Sequence, residues 1–299
     1  MNGVLIAIVA HGLIGISLVW DKVLLQERGT RNLASFVFWL GAISFFGLAL
    51  LPFGFKIPAW DAPVLGFLAG LLDLVASFFY YWALKSGEAS DELAAMGGFS
   101  PVATGLIAIP LLKQPVGADV VGFIVMCLGG FTMFFAEKQP LRKMLPKILI
   151  ASAAFGMSNV LQKIVFNETN FVTGYVFFTV GTFLGSMAML IPRSWRRQIF
   201  KHSEETSPKS RFWYMSNRFL AGVGSFLVVF AISRDSPAVV EAISGVRYVI
   251  VFIGAYGITK LKPRWFREDF SRRALSFKAI ATCLVVIGLV LVGLRGGGP

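Results

Sequence analysis

Apolar residues in this chain fall in long continuous runs rather than in alternation, and short stretches rich in Lys, Arg, Pro and Gly separate the runs. About 20 helical residues cross a hydrocarbon core about 30 Å thick, and runs of that order recur from end to end. Their boundaries predict helices over residues 3–20, 33–53, 62–84, 93–112 and 117–136, then 147–165, 172–192, 212–232, 237–259 and 276–294. Strands are excluded as spans, because no run alternates and an open sheet edge would strand backbone N–H and C=O groups in lipid. The predicted fold class is all-α integral membrane with ten transmembrane helices. Gly66 with Gly70, and Gly181 with Gly185, are small-xxx-small pairs that let helices approach closely.

Composition agrees. Of 299 residues 56% are hydrophobic and 15% charged, with a mean hydropathy of +0.72, too little charged surface for a soluble domain of this size. Met1-Asn2-Gly3 has no Lys or Arg before its apolar run, and no small-residue cleavage site follows, so the run reads as a retained first span. Cys127 and Cys283 lie inside apolar runs, which reads as buried thiols rather than a disulfide framework.

A net charge of +12 raises nucleic acid as a partner, but the basic residues sit in short loops and not along one face, so that class is set aside. Loops after the odd-numbered spans hold 21 of the 28 Lys and Arg, among them Lys138, Arg142, Lys143, Arg193, Arg196, Arg197, Lys260 and Arg264. The other side holds Lys56, Lys113, Lys163, Arg234 and Arg295. The positive-inside rule makes the first set cytoplasmic in a multi-pass protein of the cell (inner) membrane, with both termini outside. Basic stretches 193–211 and 260–273, interleaved with Trp195, Phe200, Trp265 and Phe266, read as segments lying on anionic membrane lipids, and Gly296-Gly297-Gly298-Pro299 as a flexible tail.

The chain also repeats itself. Gly15-Ile16-Ser17-Leu18-Val19-Trp20-Asp21-Lys22 matches Gly156-Met157-Ser158-Asn159-Val160-Leu161-Gln162-Lys163, and Gly41 and Pro52 fall on Gly181 and Pro192. Ala83-Leu84-Lys85-Ser86 falls on Ala231-Ile232-Ser233-Arg234 at an offset of 148, and Cys127-Leu128 meets Cys283-Leu284. Phe67-Leu68-Ala69-Gly70 recurs as Phe219-Leu220-Ala221-Gly222 at an offset of 152, so one of these matches is coincidental or the eighth span differs in length. Two five-span repeats, 1–140 and 141–299, must lie upside down relative to each other, because five is odd.

One segment is diagnostic by resemblance. Tyr80-Tyr81-Trp82-Ala83-Leu84-Lys85-Ser86-Gly87-Glu88-Ala89-Ser90, followed by Phe99-Ser100-Pro101-Val102 and an apolar run to Leu112, resembles the drug/metabolite transporter superfamily with tandem EamA-type domains. The resemblance covers nearly the whole chain. It implies a ten-helix basket whose cavity is lined by spans 1, 3, 4, 6, 8 and 9. The chain departs from the family where Lys113-Gln114 and Lys260-Leu261 stand in place of a Gly-Glu pair, and many relatives have cytoplasmic termini.

Ionisable groups inside spans cost about 2.5 to 3.5 kcal/mol each on insertion scales and mark sites or buried pairs. His11, Asp73 and Arg247 lie near the centres of spans 1, 3 and 9. As a cavity, Arg247 would hold an acidic substrate group with its forked donors, and Asp73 or His11 would exchange a proton against substrate. As structure, Asp73 and Arg247 would neutralise each other and His11 would be satisfied by a carbonyl.

Glu241, Ser244 and Tyr248 share one face of an ideal α-helix, with Arg247 more than a quarter turn away. Asn159 stands among apolar neighbours in span 6, and Tyr80, Tyr81 and Trp82 close span 3, as a cavity wall or as an interfacial belt. Asp21, Lys22, Gln162, Lys163 and Arg218 read as snorkelling anchors at span ends. Two histidines without Cys or carboxylate at ligand spacing predict no metal site, and no phosphate-cradling loop or nucleophile elbow is present, so neither a cofactor nor an enzyme is predicted.

The function expected is a secondary transporter, by preference an exporter, of a small metabolite or amphipathic compound, with protons as candidate coupling ion. The alternatives are a non-transporting scaffold, which needs a packed interior with Asp73 bonded to Arg247, and a flippase of lipid-linked substrates, which needs a lateral opening.

Overall fold

A computed structural model describes residues 3–24, 32–58, 60–86, 89–113, 120–135, 144–205, 207–261 and part of 271–291. Outside the described residues lie Lys138, Arg142, Lys143, Arg264, Trp265, Phe266, Arg295 and the tail 296–299, together with the side chains of Lys22, Tyr248 and Lys260.

The described residues form helices: α1 (Gly3–Leu24), α2 (Leu33–Ile43) continued by a 3-10 helix (Ser44–Phe53), α3 (Asp61–Ser86), α4 (Ala89–Leu112), α5 (Val120–Phe135) and α6 (Leu145–Glu168). These are followed by α7 (Phe171–Ala188), α8 (Arg193–Glu205), α9 (Pro208–Arg234), α10 (Pro237–Ala242) and α11 (Gly245–Leu261). Among the described residues seven stretches are long and apolar enough to cross a membrane: Gly3–Asp21, Leu33–Phe53, Asp61–Lys85, Leu145–Glu168, Phe171–Ala188, Pro208–Arg234 and Pro237–Ile258. Phe99–Leu112, Val120–Gly129 and Ala279–Gly288 are shorter apolar helices.

Cross-links define the two ends of the bundle. At one end the Asn32 amide donates to Gln198 at 3.0 Å, Trp195 stacks on Phe78, and the Lys147 ammonium lies 4.3 Å from the Trp82 ring centre. At the other, Asn170 donates to the Gly54 carbonyl at 3.0 Å, and the Lys56 N–H donates to Thr173 at 3.0 Å. There Lys163 donates to the Ile232 and Ser233 carbonyls, capping α9 where its last C=O groups lack helical partners.

The stretch 193–211, expected as a basic loop, is largely helical. Trp195 and Ile199, four residues apart, turn inward, with Ile199 fully buried, while Arg193, Arg196 and Arg197 face outward. That amphipathic period, not apolar length, makes the helix.

The small-residue pairs lie where α3 meets α7. A Cβ added at Gly70 would fall 2.0 Å from the Phe178 carbonyl oxygen, and one at Gly181 would fall 2.1 Å from that of Phe67, so only glycine lets these backbones meet. Gly222, in the recurring Phe-Leu-Ala-Gly of α9, has nothing within 4 Å of an added Cβ. Helices α3 and α9 have 26 and 27 residues, so helix length does not explain the 152 offset of that match.

Asp21 and Arg218 are not snorkelling anchors. Helix α1 runs to Leu24, carrying Asp21 inward until it is fully buried, and Arg218 is 3% exposed and ion-paired to it. Tyr81 on α3 donates to Asp21 Oδ2 at 3.0 Å, and Asn217 donates to Oδ1 at 2.6 Å. The guanidinium lies 4.8 Å from the Phe36 ring centre and 5.4 Å from that of Tyr214. A charge out of water needs partners of this kind, and the set ties α1, α2, α3 and α9 together, with only Arg218 Nε left unbonded among the described residues.

Gly70→Leu or Gly181→Leu should destabilise the protein by about 2 kcal/mol or more, whereas Gly222→Ala should be neutral, as read from thermal melting in detergent. Arg218→Met should cost about 3 to 5 kcal/mol by leaving Asp21 buried without a counter-charge. Asp21→Leu combined with Arg218→Met should recover most of that loss, and a double variant no more stable than the single one would show that the pair is not the source of the loss.

Candidate functional site

A cavity of about 750 Å³ lies inside the bundle, lined from α1, α2 and its 3-10 extension, α3, α4, α6, α7, α9, α10 and α11. Most of the wall is apolar, and its polar groups come mainly from three places.

The first is α3, where Asp73, Ser77, Tyr80 and Tyr81 recur at helical spacing and all line the cavity. The Asp73 carboxylate makes no hydrogen bond or ion pair among the described residues, and its charged neighbour is Glu241. Trp82 is 41% exposed, as an interfacial belt requires, whereas Tyr80 and Tyr81 are buried.

The second is the junction of α10 and α11. The Ser244 N–H donates to the Glu241 carbonyl, that of Val246 to Ile243 and that of Arg247 to Ser244, each an i to i−3 bond of 2.9 to 3.0 Å. A 3-10 turn has three residues per turn, so Glu241, Ser244 and Arg247 come into line, and all three line the cavity. This corrects the stripe expected from an unbroken α-helix, which joined Glu241 and Ser244 to Tyr248 and excluded Arg247. The period of 3.6 does not hold across Ile243–Ser244.

The third is α6. Asn159 donates to Glu241 Oε1 at 2.9 Å, while Ser100 from α4 donates to Oε2 at 3.1 Å. Glu241 is therefore buried and held from two helices at the cavity wall. Gln162 is no anchor either. It is buried one turn further on, donates to Ser158 at 3.2 Å, and leaves its Oε1 unbonded among the described residues.

Arg247 does not pair with Asp73. Its Nε–H donates to His11 Nδ1 at 2.8 Å, and His11 Nε2–H donates to the Val240 carbonyl at 2.8 Å. Accepting on one nitrogen and donating from the other defines a neutral imidazole with its proton on Nε2. His11 is fully buried behind Arg247 and is not among the lining residues. The two terminal nitrogens of Arg247 have no hydrogen-bond partner among the described residues.

Of the residues singled out from the sequence, Asp73, Tyr80, Asn159, Glu241, Ser244 and Arg247 line one cavity. Missed as wall residues were Ser100, Gln162 and Arg218, the last of which forms, with Tyr81, the wall on the side of the Asp21 ion pair. The available signal was that Ser100 precedes Pro101 within an apolar run and that Arg218 lies inside one.

Solved structures resemble the chain along its whole length. One, described only as a crystal structure of a protein, is 16% identical, covers 98% of this chain and 97% of its own, and superposes with a TM-score of 0.64, a likeness of fold. No curated protein matches. Residues 1–136 of this multi-pass membrane protein match the EamA-like transporter family, a match consistent with the drug/metabolite transporter superfamily.

Proposed function

We propose that the protein is a secondary transporter, working as an exporter, that moves a small solute with an acidic group by alternating access and exchanges it against protons. The observation that supports this best is the cavity of about 750 Å³ with an unbonded carboxylate at Asp73 and an unbonded guanidinium fork at Arg247 on its wall. A packed scaffold would have joined these two groups. Instead Arg247 is held by a neutral histidine, which orients its Nε and leaves its charge free for a ligand.

In this reading ten spans form two oppositely oriented halves, 1–140 and 141–299. The three shorter apolar helices serve as spans 4, 5 and 10, and α10 with α11 serves as a broken span 9 at the site, as discontinuous helices do in carriers. The end bearing α8 faces the cytoplasm, where Arg193, Arg196 and Arg197 rest on anionic lipid. Asp73 carries the coupling proton, Glu241 fixes Asn159 and Ser100 at the wall, and Tyr80 and Ser244 offer hydrogen bonds to substrate. His11 positions Arg247 rather than meeting substrate, and Tyr248 remains a candidate by sequence alone. One charge moved through 100 mV is worth about 2.3 kcal/mol, enough to bias the exchange usefully.

In proteoliposomes, Asp73→Asn should remove the dependence of flux on an imposed pH gradient while leaving substrate binding within about twofold; unchanged gradient-driven flux would take Asp73 out of coupling. Arg247→Leu should weaken binding of an acidic substrate by about 10 to 100-fold, the worth of one charge-assisted hydrogen bond. A cationic or neutral compound should bind that variant as well as or better than before, and undiminished transport of an acidic compound would refute the assignment.

A further inference from the structure

The cavity wall is not continuous. Its lining includes Phe46, Gly47, Ala49 and Leu50 of the 3-10 helix together with Phe219, Gly222, Val223 and Phe226 of α9. These are cavity-lining residues that are also open to the outside: Phe46 is 73% and Phe219 is 74% exposed, and Gly222 and Val223 are exposed as well. All of them lie within stretches long and apolar enough to cross a membrane, so what they face beyond the protein is the hydrocarbon of the bilayer, not water.

The contrast with α3 and α7 shows that this is a gap and not the ordinary looseness of the bundle. There, Gly70 and Gly181 bring backbones together so closely that a Cβ would overlap a carbonyl oxygen. Gly222 closes the same four-residue motif on α9, and an added Cβ would meet nothing within 4 Å. Phe219 and Phe226, three residues before and four after Gly222, stand on its face of α9 as two rims with a glycine-wide slot between them. On the opposite side the chain is in a 10-residue 3-10 helix, an uncommonly long run of a geometry that often marks hinges.

We propose that this slot is a lateral portal, and that the substrate is a single-chain amphiphile. Its acidic head reaches Arg247 while its hydrocarbon chain stays in the seam between the 3-10 helix and α9, over Gly222. This rests on the carrier reading above and adds the apolar half of the substrate to it. A polar solute arriving from water gains nothing from a mouth lined by Phe46, Phe219, Val223 and Phe226. An amphiphile already in the bilayer keeps its chain in apolar surroundings at every step, and only its head has to leave the membrane surface.

The test uses the full chain in nanodiscs. With Cys127 and Cys283 replaced by Ala and a nitroxide attached at Gly222→Cys, relaxation by oxygen should exceed relaxation by a water-soluble nickel chelate. Dominance of the nickel chelate would mean a mouth open to water, and protection from both would mean a closed seam; either overturns the portal. In parallel, retention of radiolabelled oleoyl glycerol phosphate is compared with retention of glycerol phosphate. Wild type should hold the chain-bearing compound at least about tenfold better, Gly222→Phe should erase that advantage, and Arg247→Gln should weaken both. No preference for the chain, or no effect of Gly222→Phe, refutes the portal while an Arg247-dependent hold on the head keeps the carrier reading. Indifference of both compounds to Arg247→Gln refutes the head site itself.

Discussion

The structure depends on one buried ion pair, Asp21 of α1 against Arg218 of α9. Neither charge is tolerable alone in an apolar interior, and together they are tolerable only because Tyr81, Asn217 and the rings of Phe36 and Tyr214 complete their surroundings. Meeting that demand joins α1 and α3 from the first half of the chain to α9 from the second. It also puts Tyr81 and Arg218 into the cavity wall, with the Tyr81 hydroxyl and the two terminal nitrogens of Arg218 already engaged and only Arg218 Nε unbonded among the described residues. The cavity's remaining chemistry therefore falls to groups that are not so engaged, Asp73 and the terminal nitrogens of Arg247.

A second constraint acts at the junction of α10 and α11. Three i to i−3 bonds, from Ser244, Val246 and Arg247, tighten the chain there, and the change of period brings Glu241, Ser244 and Arg247 to one face. Once there, each is held differently. Glu241 is fixed by Asn159 and Ser100, which consume one donor from α6 and one from α4. Arg247 is fixed by His11, which uses the Val240 carbonyl as its own anchor. A fixed carboxylate and a guanidinium whose outer nitrogens are free make a preorganised wall, in which little side-chain order has to be gained when a ligand arrives.

The helices were legible because a run of apolar residues is itself the physical requirement for crossing hydrocarbon, so boundaries drawn on composition, such as 33–53 and 62–84, lie within a few residues of the observed ones. Asp73, Asn159 and Arg247 were legible as cavity-lining residues because polarity inside such a run needs a reason. What escaped did so for stated causes. Helix α8 is amphipathic rather than apolar, and so it read as a loop. Asp21 sits one residue beyond a run drawn to end at 20, and its partner is 197 positions away, so nothing local marks the pair. The face shared by Glu241 and Arg247 was invisible to any argument that assumed 3.6 residues per turn. His11 read either as a titrating group or as an imidazole satisfied by a carbonyl, and the Val240 carbonyl supplies the second, while its other partner, Arg247, is 236 positions away and was not marked locally.

The two glycine-bearing seams show how one local sequence can serve opposite ends. Phe-Leu-Ala-Gly on α3 closes on α7 because α7 offers Gly181 in return, and two backbones without Cβ atoms can touch. The same four residues on α9 face a 3-10 helix whose own glycine, Gly47, is spent on Thr179 of α7, where an added Cβ would fall 2.5 Å from its methyl group. With its glycine turned to α7, the 3-10 helix has no matching surface for Gly222, and the seam stands open.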